Sequence, residues 1–225
     1  MCWGKQCHLD GLCEMSNVKT RIPHWLDWAQ RLQAIAQTGL NYTTTVYDTE
    51  RYDQVREIAA EMAACCSDAD VDGLRGLFAG EVGHATPKVD VRGVTFRDDG
   101  VLLVREKSDG LWALPGGWAD VGESAGEAVA REVWEESGYR VRTVKLLAAY
   151  DRNKHPHPPY PFHAYKLFFQ CELIGGEPAH SIETDGVDFF QENKLPELSV
   201  TRVTAEQIAR FFEHYRHPDW PTDFD

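Results

Sequence analysis

Glu132, Glu135 and Glu136 fall at i, i+3 and i+4, the spacing that gathers side chains on one sector of a helix. Ahead of them, Ser124 and Glu127 form an S-x-x-E capping box, and Gly138 suits the position just past a helix end. The sequence therefore predicts a helix from about Ala125 to Ser137. Like charges at this spacing cost a few tenths of a kcal/mol per pair, and the helix dipole disfavours each carboxylate in the last turns by about 0.3–1 kcal/mol. A solvated acidic face is the plainer reading of such a run. Two penalties of the same sign point instead to a bound counter-charge, and oxygen-only donors suit a hard divalent cation, Mg²⁺ or Mn²⁺.

The segment Leu114-Pro115-Gly116-Gly117-Trp118 leads into that helix. Its two glycines let backbone approach a metal or phosphate where a Cβ would intrude. Gly117, Glu123, Arg131, Glu132, Glu135, Glu136 and Gly138 stand in the spacing G-x5-E-x7-R-E-U-x-E-E-x-G-U, U being bulky aliphatic. This resembles a complete Nudix box. Seven fixed residues would align by chance on the order of once in 10⁸ positions. Tyr139 departs from the final U, which bears on packing rather than chemistry. Residues 28–40, Asp151 to Pro158 and Leu195 to Ser199 further resemble a Nudix subgroup that has a helical N-terminal domain and acts on X-linked nucleoside diphosphates.

The resemblance implies that Glu132, Glu135 and Glu136 hold the metal, two to three ions of Mg²⁺ or Mn²⁺, with help from the backbone carbonyl near Gly117. It implies that Glu123 and Arg131 orient the loop and helix; as a plain helix pair, Arg131 could instead face Glu127. Bound cations would neutralise a pyrophosphate and activate water for in-line attack at phosphorus. Glu136, or Glu183 in a later loop, would take the proton. The implied activity is hydrolysis of a nucleoside diphosphate derivative, CDP-choline first and ADP-ribose second, to a nucleoside monophosphate and a phosphorylated group. Two other readings are an RNA 5′-end pyrophosphohydrolase or trimming enzyme, and a non-catalytic nucleotide-sensing Nudix module. All the box carboxylates are present, and no basic face marks the helices before it, which weighs against the sensor.

Residues 151–163 hold Arg152, Lys154, three histidines and four prolines. An acidic protein needs local cations to hold a diphosphate, so Arg152 and Lys154 are expected on the substrate. His155 joins them as a candidate contact, with zinc ligation by His155 or His157 and a rigid Pro-rich loop as alternatives. Trp118 is the leading candidate to stack on a base; Tyr160, Phe162 and Tyr165 are others, although aromatics in strands are more often core.

These groups need a scaffold, and the periodicity supplies one. Three helices are expected between Pro23 and Gly80. The first carries Trp25, Trp28, Leu32, Ile35 and Ala36 and ends at Gly39; the second follows an N-cap at Asp48, with Tyr52, Val55, Ala59, Met62 and Cys66 as its stripe; the third spans Val71 to Gly80. After Thr86 the period becomes two. Strands are expected at Lys88 to Phe96, Val101 to Val104 beyond an Asp99-Gly100 hairpin, Leu111 to Leu114, 140–150, 162–173 and Val187 to Phe190, with a last helix from Thr204 to His214. The fold class is α+β: a Nudix α/β/α sandwich with a mixed sheet, preceded by a small helical domain. The expected division is 1–22 a flexible lead, 23–85 helical, 86–217 the Nudix domain and 218–225 a C-terminal tail.

Composition narrows the partners. Apolar residues are 43% and charged residues 26% of 225, a globular balance without a membrane-spanning run. The net charge of −13 disfavours long nucleic acid. No signal region is seen and no CxxC pair occurs among six cysteines, so free thiols and a cytoplasmic location are expected. A zinc site from Cys2, Cys7, Cys13 and His8 is a weaker alternative to a flexible lead, and vicinal Cys65-Cys66 is expected in helix packing. The Trp-rich face of the first helices exceeds what about 60 residues can cover, which points to a homodimer through them.

Overall fold

A computed structural model describes residues 23–225; the expected flexible lead, with Cys2, Cys7, Cys13 and His8, lies outside the described residues. The chain divides into two units at Ala85/Thr86.

The first unit is three helices: α1 (His24–Tyr42), α2 (Val46–Cys65) and α3 (Val71–Gly80). Helix α1 runs past Gly39, where the sequence predicts its end. The reason is packing: a Cβ at Gly39 would lie 2.3 Å from the Tyr52 ring, so the glycine admits α2 rather than stopping α1. Helix α2 begins earlier than expected, because Thr45 caps it by accepting from the Asp48 N–H at 3.1 Å; Asp48 sits in the first turn. The buried face is small-residue packing of Ala29, Ala59, Ala60 and Ala63 with Leu74 and Phe78. Trp28 and Ile35, on the Trp-rich face that the segment was not expected to cover by itself, are exposed, as are Tyr42, Val46, Tyr47 and Ile58. Cys65 and Cys66 are exposed rather than packed.

The second unit contains β1 (Lys88–Arg97), β2 (Gly100–Glu106), β3 (Trp112–Ala113), α4 (Ala125–Ser137), β4 (Tyr139–Asp151), β5 (Ala164–Gly176), β6 (Thr184–Gln191), α5 (Ala205–Arg216) and β7 (Asp223–Phe224). The mixed sheet has the order β3-β2-β1-β5-β4-β7, with β6 also on β2. The β1–β2 turn centres on Asp98 and Asp99, both at positive φ, so it lies one residue before the expected Asp99-Gly100. The segment 218–225 carries β7, which pairs parallel to β4.

Each face of the sheet carries one helix. On one side α5 inserts Ile208 and Phe211 against Val94, Leu147 and Phe168. On the other, Val129 and Val133 of α4 meet Val91, Leu102 and Cys171. A Cβ at Gly93 would lie 2.3 Å from Val133 Cγ2, so the absence of a side chain there lets α4 sit close on β1. Burial of each large aliphatic or aromatic side chain is worth about 1.5–3 kcal/mol, and it is this apolar face that pins α4 and turns Glu132 and Glu136 toward the Gly116-Gly117 loop. β1 and β5 pair parallel, with Asp90 opposite Lys166 and Arg92 opposite Phe168.

Candidate active site

Helix α4 is capped as its sequence predicts: Ser124 and Glu127 exchange both capping hydrogen bonds, and Gly138 closes the helix at φ 77°. With Glu127 held by the cap, Arg131 turns to other partners. Its Nε and Nη2 bind the Glu123 carboxylate at 3.0–3.1 Å. Its Nη1 bridges Glu132 and Glu135, at 2.9 Å to each. The alternative pairing of Arg131 with Glu127 is not formed.

The glycine loop passes directly over the helix end. Gly116 adopts φ 146°, and a Cβ there would fall 2.0 Å from the Val91 carbonyl oxygen, so only glycine fits without displacing β1. The Gly116 N–H donates to Glu136 Oε2 at 2.8 Å. At Gly117 a Cβ would meet the Glu132 carboxylate at 3.1 Å. The Gly117 carbonyl accepts from the Val91 N–H at 2.8 Å, which leaves it one further lone pair.

Glu132, Glu135, Glu136, Gly117, Arg131, Trp118, Glu183 and Arg152 all line one cavity of about 980 Å³. Burial raises the carboxyls of Glu132, Glu106 and Glu136; Glu136 is pushed up to about 8, against the opposing pull of Arg92 and the Gly116 N–H. Among the described residues no three His, Cys, Asp or Glu side chains are already drawn together as a metal cage, and Arg131 supplies counter-charge to Glu132 and Glu135. The donor set nonetheless fits a hard divalent cation. It offers three carboxylates and a carbonyl, and Glu136 is a buried carboxylate whose ionisation needs a nearby positive charge.

A second set of residues completes the cavity. Asp90 and Arg92, two apart on β1, share a face, and Arg92 binds the Asp90 carboxylate through Nε at 2.9 Å and Nη2 at 2.8 Å. Lys166 on β5 donates to Asp90 Oδ1 at 2.8 Å. The two cations hold Asp90 well below the usual carboxylate range despite its burial, while burial pulls Lys166 down to about 8. Glu106, in contact with Arg202 at 3.0 Å, and Trp134 on α4 also line the cavity. None of these was singled out in the sequence. The available signal was charge inside apolar strand runs, at Asp90, Arg92 and Lys166.

Two expected substrate contacts are placed elsewhere. His155 stacks on Tyr150 with ring centres 4.0 Å apart, and its Nε2 lies 3.1 Å from Asp225. Lys154 is exposed outside the cavity, at the end of a short 3-10 helix Arg152–Lys154. His157 packs toward α5, its ring nitrogens 2.7 Å from the Val200 carbonyl and 3.2 Å from Gln207. Burial pulls it down to about 4. Of the candidate stacking groups, Trp118 and Tyr160 line the cavity and Phe162 and Tyr165 do not.

Comparison with known proteins places this geometry. Residues 23–78 match a family described as a UDP-X-like, N-terminal oligomerisation domain, and residues 86–213 match the NUDIX domain. The chain is 47% identical over 211 residues to YjhB of Bacillus subtilis, a protein provisionally named an ADP-ribose pyrophosphatase; the match covers 94% of this chain and all of that one. It resembles the crystal structure of a Streptococcus suis ADP-ribose pyrophosphatase at 42% identity and TM-score 0.58, covering 62% of this chain and 100% of the other. A UDP-X diphosphatase structure aligns over 92% of this chain and 100% of its own, at 32% identity and TM-score 0.59.

Proposed function

The chain belongs to the Nudix family of pyrophosphohydrolases, and from that premise we propose that it hydrolyses the diphosphate of an X-linked nucleoside diphosphate. ADP-ribose stands first, on the names of two relatives, and CDP-choline second. The observation that carries this reading is the convergence of Glu132, Glu135, Glu136 and the Gly116-Gly117 backbone on one cavity that also holds Arg152.

In this reading Glu132, Glu135 and Glu136, with the Gly117 carbonyl, hold two to three Mg²⁺ or Mn²⁺ ions. Such ions supply charge neutralisation of the diphosphate and a lowered pKa for the attacking water. Glu123 fixes Arg131, which holds Glu132 and Glu135 in register between turnovers. Glu136 is committed by its burial and by the Gly116 N–H, so Glu183, exposed on the loop before β6, accepts the water proton. Arg152 holds phosphate, and Trp118 at the rim stacks on the base. The helices of residues 23–85 pair two copies of the chain through the exposed Trp28, Ile35, Tyr42 and Tyr47.

The test is phosphate release, after phosphatase coupling, from ADP-ribose, CDP-choline, a UDP-sugar, NADH, dinucleoside polyphosphates and 5′-triphosphate RNA. It is run with Mg²⁺ or Mn²⁺ on the wild type and on Glu136→Gln. Metal-dependent turnover of one linked diphosphate, lost in the variant, is expected. Binding without turnover across the panel would overturn the reading in favour of a sensor. A stable monomer by sedimentation at micromolar protein would overturn the pairing.

A further inference from the structure

The cavity has a second charged end, built from cations rather than carboxylates. Arg92, Arg152 and Lys166 are all buried there, at 5%, 5% and 2% exposure, and Asp90 is the carboxylate that acts on all three. Arg92 is fully engaged. Two of its nitrogens bind Asp90 and the third donates to the Leu114 carbonyl at 3.1 Å. The other two cations are not. Lys166 Nζ has three protons, one of which goes to Asp90. Arg152 Nη2 has no hydrogen-bond partner among the described residues, and the Tyr160 ring, centred 4.8 Å from its Cζ, covers one face of the guanidinium.

A buried cation with donors left unpaired is unfavourable, and proteins keep such groups where a ligand completes them. Here the missing partner must be anionic and rich in acceptors, because it faces donors from a guanidinium and an ammonium together. A tetrahedral phosphate oxyanion meets both demands. The carboxylate wall cannot hold a phosphate unless cations bind first, whereas this end is positive without them.

We propose that Arg152 and Lys166 form a phosphate subsite that works without metal: it holds one phosphate of the diphosphate while the other faces the carboxylates, and it accepts free orthophosphate. Asp90 and Arg92 position Lys166 from the paired strand. Calling that phosphate part of a substrate rests on the hydrolase reading above; anion binding itself does not. A released phosphomonoester stays on the same cations, so orthophosphate competes with substrate.

The full chain is titrated with inorganic phosphate by calorimetry in EDTA, as wild type, Arg152→Gln and Lys166→Met, with melting curves in phosphate-free buffer. One saturable site is expected in the wild type, weakened about tenfold or more in each variant, since a hydrogen bond to a charged group carries that much. Arg152→Gln should melt no lower than the wild type without phosphate, because it removes a buried guanidinium whose Nη2 has no hydrogen-bond partner among the described residues; a merely structural arginine would lower the melting point. Absence of phosphate binding in the wild type, or unchanged affinity in Arg152→Gln, overturns the subsite. Should Lys166→Met fold poorly, Arg152→Gln decides alone. Phosphate binding with no turnover of any diphosphate leaves the subsite standing and removes the hydrolase reading; turnover without competition by orthophosphate does the reverse.

Discussion

The two ends of the cavity present opposite charge and are built in opposite ways. The carboxylate wall comes from one helix, with Glu132, Glu135 and Glu136 within five residues and the Gly116-Gly117 loop just ahead. The cation end comes from three places in the chain: Asp90 and Arg92 on β1, Lys166 on β5 and Arg152 after β4. The wall is paired by a neighbour of its own, since Arg131 bridges two of its carboxylates, whereas Arg152 keeps a nitrogen without a hydrogen-bond partner among the described residues. A set held on one helix keeps its relative geometry even if the helix moves. A set spread over strands exists only when the strands are in register, so its chemistry is tied directly to the stability of the sheet.

That contrast can be broken most severely at the wall. Glu136→Gln should lower turnover by roughly 10³-fold, because metal charge stabilisation is worth several kcal/mol and each 1.36 kcal/mol is tenfold. Steady-state rates at saturating Mg²⁺ check this; a loss under about tenfold would remove Glu136 from the metal site. Gly116→Ala should come next. Its φ of 146° and the 2.0 Å approach to the Val91 carbonyl predict a loss of about 1–3 kcal/mol of stability, measured by denaturant unfolding. An unchanged midpoint would mean that the loop relaxes freely.

Divalent metal should respond to pH through Glu136. Its folded pKa, about 8, is raised above the unfolded carboxylate value, so the neutral form is the one favoured by folding. The metal-free protein therefore loses stability from this group as pH rises above the unfolded pKa, a loss that continues until pH passes about 8. A bound cation reverses the preference by displacing the proton. The rise in melting temperature on adding Mg²⁺ should consequently be larger at pH 8.5 than at pH 6. An equal rise at both would show that Glu136 already ionises without metal.

The smallest expected effect sharpens the comparison most finely. Lys154→Ala should change kcat/KM by less than about twofold, the range of an exposed charge, although it lies two residues from Arg152. A tenfold rise in KM would return Lys154 to the substrate and weaken the case for a buried cation end.

How much was legible follows the same division. The box helix, with its cap at Ser124 and its close at Gly138, was readable because both signals are local and the carboxylate spacing repeats the helical period. The layers of the sandwich were readable too, since strand runs alternate and Val129 and Val133 mark the core side of α4. Gly39 was misread as a helix stop, because a glycine that admits a neighbouring ring looks the same in sequence as one that ends a helix. Periodicity groups Trp28, Ile35 and Ala36 on one face of α1 but does not say which residues of it are covered: Leu26, Ala29, Gln33 and Ala36 form the buried face, because small residues let the helices approach. His155 and Lys154 were grouped with Arg152 by proximity along the chain, but successive residues of a turn point in different directions.

By itself the sequence determined what the wall presents: residue types, order and helical spacing put three carboxylates and a glycine loop in one short segment, the donor set from which a hard-cation site is proposed. Tertiary structure alone decided the other end. Asp90 and Lys166 are separated by 76 residues and become neighbours only because β1 and β5 pair parallel in one register. Local propensity carries no information about which strand lies beside which; that choice is made by burying both faces of the sheet at once.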